Sequence, residues 1–170
     1  ILILLLPVLV RASEGRLVFG AGLGLPLSPV AAGQLDPAFT PSFALELREA
    51  HWPVALTLSG ALASHPLKET PDVDYRVVPL ALGLLWDLPL GLPDFLHLES
   101  GLSAGAVFES LGTDSARTAA SAFLCTLTTR IRFSFGDFGT GLALDWRLVA
   151  ESDSSASFFT TSLFIAWQIW

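Results

Sequence analysis

The sequence predicts an all-β fold, a closed antiparallel up-and-down barrel of about eight strands. Three observations predict it. Bulky apolar residues recur at every second position through most of the chain, the period of a β-strand. The 170 residues are 52% hydrophobic and only 15% charged, with a mean hydropathy of +0.60. Yet no internal run approaches the ~20 apolar residues of a membrane helix. Third, the face opposite the bulky residues carries Gly, Ala, Ser and Thr with scattered Arg, Glu and Asp, and Lys68 is the only lysine. A solvated sheet face normally carries many long charged side chains. The inside of a narrow barrel has no room for them, and its large residues face lipid. A chain that crosses a membrane by strands must close on itself, because open sheet edges are not satisfied in hydrocarbon.

The elements follow in order. The apolar run Ile1–Val10 and the small-residue spacing Val10-Arg11-Ala12 predict a signal-peptide remnant over 1–12, cleaved after Ala12, with a single barrel domain over 13–170. In "RLVFGAGLGL", Leu17, Phe19, Ala21 and Leu23 oppose Val18, Gly20, Gly22 and Gly24. These alternate glycines leave room in the lumen and form no phosphate loop. In "SFALELREA", Phe43, Leu45 and Leu47 oppose Ala44, Glu46 and Arg48; in "PVALTLSGALA", Val54, Leu56, Leu58 and Leu62 oppose Ala55, Thr57, Ser59 and Ala61. Leu80, Leu82, Leu84 and Trp86 oppose Ala81 and Gly83, and Leu96, Leu98, Leu102 and Phe108 oppose His97, Glu99, Gly101, Ser103 and Gly105. In "TTRIRFSFGDFGTGLALDWRLV" the apolar residues are odd before Gly136-Asp137 and even after it, as a tight hairpin requires. The run Phe158–Trp170 closes the chain. Prolines 41, 53 and 79 each remove a ladder donor and mark strand ends or bulges. Cys125 falls among the odd, lipid-facing positions as a small apolar filler.

Long, mostly acidic connections are expected near 26–38, 64–74, 109–119 and 151–157, and shorter ones near 51–52, 87–94 and 136–137. Trp52, Trp86, Phe95, Phe135, Phe138 and Trp170 gather toward the short-turn end, and Tyr75, Phe108, Phe123 and Phe158 toward the long-loop end. Two such belts are the aromatic girdles of a membrane barrel at its headgroup levels.

With these features the chain resembles the small outer-membrane β-barrel superfamily, the OmpA/OmpX/OmpW-like group, over nearly its whole length. The resemblance lies in architecture: the alternation, the exported N-terminus and an aromatic residue, Trp170, at the end of the last strand. It implies a bacterial outer-membrane location, contact with membrane lipid and lipopolysaccharide, and insertion by the barrel-assembly machinery, which reads that terminal aromatic. The last strand departs from the pattern, because Leu163, Ile165, Trp167 and Ile169 take the parity opposite to Trp170. A bulge, or a chain continuing further, accounts for this.

Chemistry is sparse. His97, Glu99 and Ser103 share one face as a hydrolase triad would, but His97 and Ser103 stand about 20 Å apart at strand rise. Barrel lipid A deacylases use a His-x-Ser pair, whereas "HLES" places Glu99 where that Ser belongs. No enzyme, catalytic residue, cofactor or metal site is expected; His51 and His65 are assigned to a turn and a loop without ligand spacing. The acids Asp36, Glu69, Asp72, Asp74, Glu109, Asp114 and Asp153 read as a solvated rim. The net charge of −7 argues against a nucleic-acid partner. The informative set is inward. Glu46, Glu99, Asp145 and Glu151 balance Arg48, Arg130, Arg132 and Arg147, with His97 among them. An unpaired charge in a confined lumen loses hydration without compensation, so pairing is expected, with Arg130 reaching Asp145 and Glu99 bridging to Arg130 or Arg132. Two functions then compete: a plugged structural or surface-interaction barrel, and a narrow conduit for small or apolar molecules as in the OmpW-like members.

Overall fold

A computed structural model describes residues 14–49, 52–70, 72–113, 117–150 and 155–170. The predicted 1–12 segment, His51, Asp114, Asp153 and Glu151 lie outside them. Among the described residues nine strands form one antiparallel sheet: β1 (Glu14–Pro26), β2 (Ala38–Arg48), β3 (Val54–Ala61), β4 (Ala63–Pro66), β5 (Asp74–Asp87), β6 (Leu96–Gly112), β7 (Arg117–Phe135), β8 (Phe138–Ala150) and β9 (Ser155–Gln168). Because β4 continues β3 beside β5, and β3 pairs with both β2 and β5, the sheet closes as an eight-stranded barrel. A short helix, α1 (Pro29–Gln34), lies in the first connection.

The alternation places side chains as period two dictates. Phe19, Leu58, Leu84, Leu102, Leu127, Ile131, Leu144 and Ile165 are exposed on the outside, while Val18, Ala55, Ala81, Leu124, Ala143 and Ala166 are buried inside. Gly136 takes φ +61 as the first residue of the two-residue β7–β8 turn, a conformation that glycine adopts without strain. At Gly22 the β9 backbone around Thr161 leaves no space for a Cβ, so this glycine permits close strand approach as well as lumen room.

Several expectations change. The β6–β7 and β8–β9 connections shrink to residues 113–116 and 151–154, because the strands continue past the last bulky residues. His65 is in β4, with its side chain buried, and Glu109 is in β6, also buried inside; neither belongs to a loop. The ladders of the last strand with β1 and β8 run unbroken to Gln168, which points inward. Just beyond it Ile169 N donates to Gly15 O at 2.8 Å and Gly15 N donates to Trp170 O at 3.3 Å, so two residues oppose one, as in a bulge. The extra residue turns Trp170 to the outer face, where its indole covers Gly15.

Candidate functional site: a two-tier lumen

The interior divides into two tiers. Toward the short turns it is ionic. Glu46 on β2 accepts from Arg130 Nη2 on β7 at 2.5 Å and from Arg16 Nη1 on β1 at 3.2 Å. Glu99 on β6 accepts from Arg132 Nε at 2.8 Å and lies 3.4 Å from Arg130 Nε. In the ring order, β2 and β7 are separated by three strands either way round, so the Glu46–Arg130 bond spans the lumen across its diameter. Glu46, Arg130, Glu99 and Arg132 are each at most 8% exposed, and Arg16 is 16% exposed. Charge-assisted bonds of this kind compensate the lost hydration of each ion. The Arg130 guanidinium also lies over the Phe164 ring, 5.4 Å from its centroid, which covers its remaining face. Nearer the turn opening, Arg48 Nη1 donates to Asp87 Oδ2 at 2.6 Å, and His97 Nδ1 lies 3.9 Å from Asp87 Oδ1.

Asp145 takes other partners than the expected Arg130. Its carboxylate accepts from Thr128 at 2.7 Å and from Arg147 at 3.4 Å. The two-residue turn sets Arg130 opposite Ala143, one step along the face from Asp145, and the Arg130 side chain extends across the lumen instead. Arg16 and Asp87 belong to the ionic tier although sequence reasoning leaves them out. The signal for Arg16 is its even parity with Val18; Asp87 reads in sequence as part of a turn.

Toward the long loops the interior is built around an apolar cluster, with buried His65, Glu109, Thr40 and Thr160 beside it. Val77, Val107, Leu124, Val149 and Phe158 from the wall pack with Ala31 and Leu35 from the first connection. That connection is tied down at several points. His65 Nδ1 and the Asp36 carbonyl are 2.9 Å apart, Asp36 N donates to Pro66 O at 2.9 Å, and Lys68 Nζ donates to Ala32 O at 2.6 Å. Tyr75 and Phe158 belong here and leave the girdle. Both point inward, where Tyr75 stacks on Phe158 and donates to Glu109 at 2.5 Å. The tyrosine shares odd parity with buried Val77 and Ala81, and that parity sends it into the lumen. Phe108 and Phe123 stay outside at the loop end, and Trp52, Phe95, Phe135, Phe138 and Trp170 are exposed at the turn end, with Trp86 half-exposed on the outer face. Between the tiers lies a cavity of about 100 Å³.

The hydrolase arrangement does not assemble. Glu99 is held by arginines, and the carboxylate beside His97 belongs to Asp87.

This architecture is that of the small eight-stranded outer-membrane barrels. Neisserial surface protein A superposes with a TM-score of 0.75 at 8% identity, covering 90% of this chain and 96% of that one. A major outer membrane protein from Thermus thermophilus gives 0.61 at 13% identity over 92% and 98%. Ail, the attachment invasion locus protein of Yersinia pestis, gives 0.56 at 11% identity over 92% and 99%. No protein-family model matches the chain, and no curated protein matches it in sequence.

Proposed function

We infer that this chain is an integral protein of the bacterial outer membrane whose barrel is closed to axial flow and whose role is structural or surface-interactive. The observation that carries this reading is the Glu46–Arg130 bond across the lumen, with Glu99 and Arg132 beside it. A lumen spanned by paired, buried ions leaves no continuous aqueous path at that level. The outward belt of Leu, Ile, Phe and Trp suits hydrocarbon, and lipid and lipopolysaccharide are its partners, with export by a signal peptide and insertion by the barrel-assembly machinery. Ail has been solved with the heparin analogue sucrose octasulfate. The net charge of −7 on this chain favours less anionic surface partners. The second reading, a narrow channel for small or apolar molecules, draws on the cavity between the tiers. Conductance of the refolded protein in a planar bilayer tests the choice. A silent bilayer with a heat-shifted, β-rich protein supports the plugged barrel, and a steady open channel overturns it. A barrel lipid-modifying hydrolase ranks last, since Glu99 is engaged elsewhere.

A further inference from the structure

One part of the barrel wall lacks the ladder that closes the rest. The β2–β3 ladder ends at Ser42–Ala61, after which Leu62 N still donates to Pro41 O at 3.0 Å. Further toward the loops, Asp36 N meets Pro66 O. Five residue steps from Asp36 to Pro41 thus oppose four from Leu62 to Pro66, a slip of one residue. Among the described residues no ladder joins Ala38–Thr40 to β4, so Phe39 and Ser64, which the β2–β3 register would set together, are not paired with each other. On the other side of the same strand, β5 pairs with Gly60 and Ala63 but skips Ala61 and Leu62, where Pro79 has no N–H to give. A proline on each neighbour therefore flanks Ala61–Leu62, which makes this the weakest seam of the wall.

Outside the seam stand Phe39, Leu62 and Leu80, all exposed, while behind it lie the methyls of Ala38, Ala61 and Ala63, with Thr40 and His65 buried toward its loop end. The cavity between the tiers reaches the foot of this seam. Its lining includes Phe43 and Gly60 of the outer face together with Ser42 and Pro79, and it runs inward to Ser59 and Thr126. The ionic tier shuts it toward the turns and the apolar tier toward the loops. The approach left is from the side.

We propose that the seam binds a single-chain amphiphile from the bilayer, a long-chain alcohol or monoacylglycerol, with its small head in the hydroxyl-lined cavity and its chain along Phe39, Phe43 and Leu62. Three features select this class. Backbone groups without ladder partners at a lipid-facing wall require hydrogen-bonding partners, which a hydroxyl or ester supplies. The cavity of about 100 Å³, counted as space open to water centres, has room for several waters at about 10–15 Å³ each, which suits a small polar head such as a hydroxyl or a glycerol. The charges that line it are already paired, Asp145 with Arg147 and Glu46 with Arg130, so a charged head would be uncompensated.

The test places a cysteine at the cavity, Ser59→Cys in a Cys125→Ser background, with the barrel refolded into phospholipid vesicles. A membrane-partitioning alkyl maleimide should label it, and a charged thiosulfonate in the water should not. Saturating 1-dodecanol or monolaurin in the bilayer should slow labelling roughly tenfold, because only the unoccupied fraction reacts. Restoring the ladder donors with Pro41→Val and Pro79→Val should slow it likewise. Equal labelling by the charged reagent, or labelling unaffected by the alcohol, overturns the proposal. The alcohol competition uses the wall as it stands, so it decides the question even if the proline variants do not fold. Loss of the heat-dependent gel shift in the Ser59→Cys parent would instead overturn the barrel reading on which the site depends.

Discussion

Glu99 has a side chain 1% exposed and lies between two guanidinium groups. Glu99→Ala leaves Arg130 and Arg132 with one acceptor fewer in a closed space, and should lower unfolding stability in urea by ~3–5 kcal/mol. Arg130→Ala should do similar damage through Glu46. Because both changes empty one network, the double variant should cost less than the sum of the singles. Additive losses would show that the network is not a unit. Period two places Glu46, Glu99, Arg130 and Arg132 on one face from sequence alone. What it does not encode is who meets whom. Pairing within a hairpin follows from turn length, and leads to Arg130 with Asp145; pairing across the diameter depends on ring closure, which sets β2 opposite β7. That information lies in strand number and tilt, outside any local window.

At the scale of the element, parity decides the environment of each side chain. Leu127 and Leu144 occupy the outward face of β7 and β8. Arg at either should destabilise the barrel by ~2–4 kcal/mol near the midplane, less toward an interface. The same substitution at the exposed rim residue Glu69 should be tolerated, and equal tolerance at all three would contradict a lipid-facing assignment. Tyr75 shows how far this rule reaches. Its nearness to a strand end suggests a girdle, but its parity with Ala81 and Gly83 already points inward. Period governs here, since moving Tyr75 outward would turn every neighbour on β5 with it. His65 and Glu109 escape sequence reading for a different reason. "ASHP" and "ESLG" carry little bulk outside, so the alternation fades while the ladder with β5 continues. Where strands rise past the apolar belt, the lipid-facing signal ends before the strand does. Short α1 is equally unreadable, because Ala31 and Leu35 acquire their apolar role only from the barrel mouth they enter.

At the scale of the whole molecule, closure predicts that the unheated detergent-folded protein migrates apart from the boiled form on a gel, with a β-rich spectrum. A single migration unaffected by heat would count against a closed barrel. The two tiers carry a sharper consequence. Ionic pairing alone suggests that breaking one charge pair opens the lumen, but the apolar tier lies in series with it. Any ion that passes the level of Glu46 then meets Leu124, Val149 and Phe158, with Ala31 and Leu35 above them. Crossing such a contact strips water, and the polar groups at that level, His65, Glu109 and Arg147, are already bonded to Asp36, Tyr75 and Asp145, so a passing ion gains little in return. Glu46→Ala with Arg130→Ala should therefore stay near zero conductance in a planar bilayer. Replacing residues 29–35 by a glycine-serine linker should also leave the bilayer silent, since the ionic tier remains. Only the combination removes both obstructions, and only it should give measurable current. Current from the charge-pair variant alone would place the whole block in the ionic tier and reduce the first connection to an ornament of the mouth.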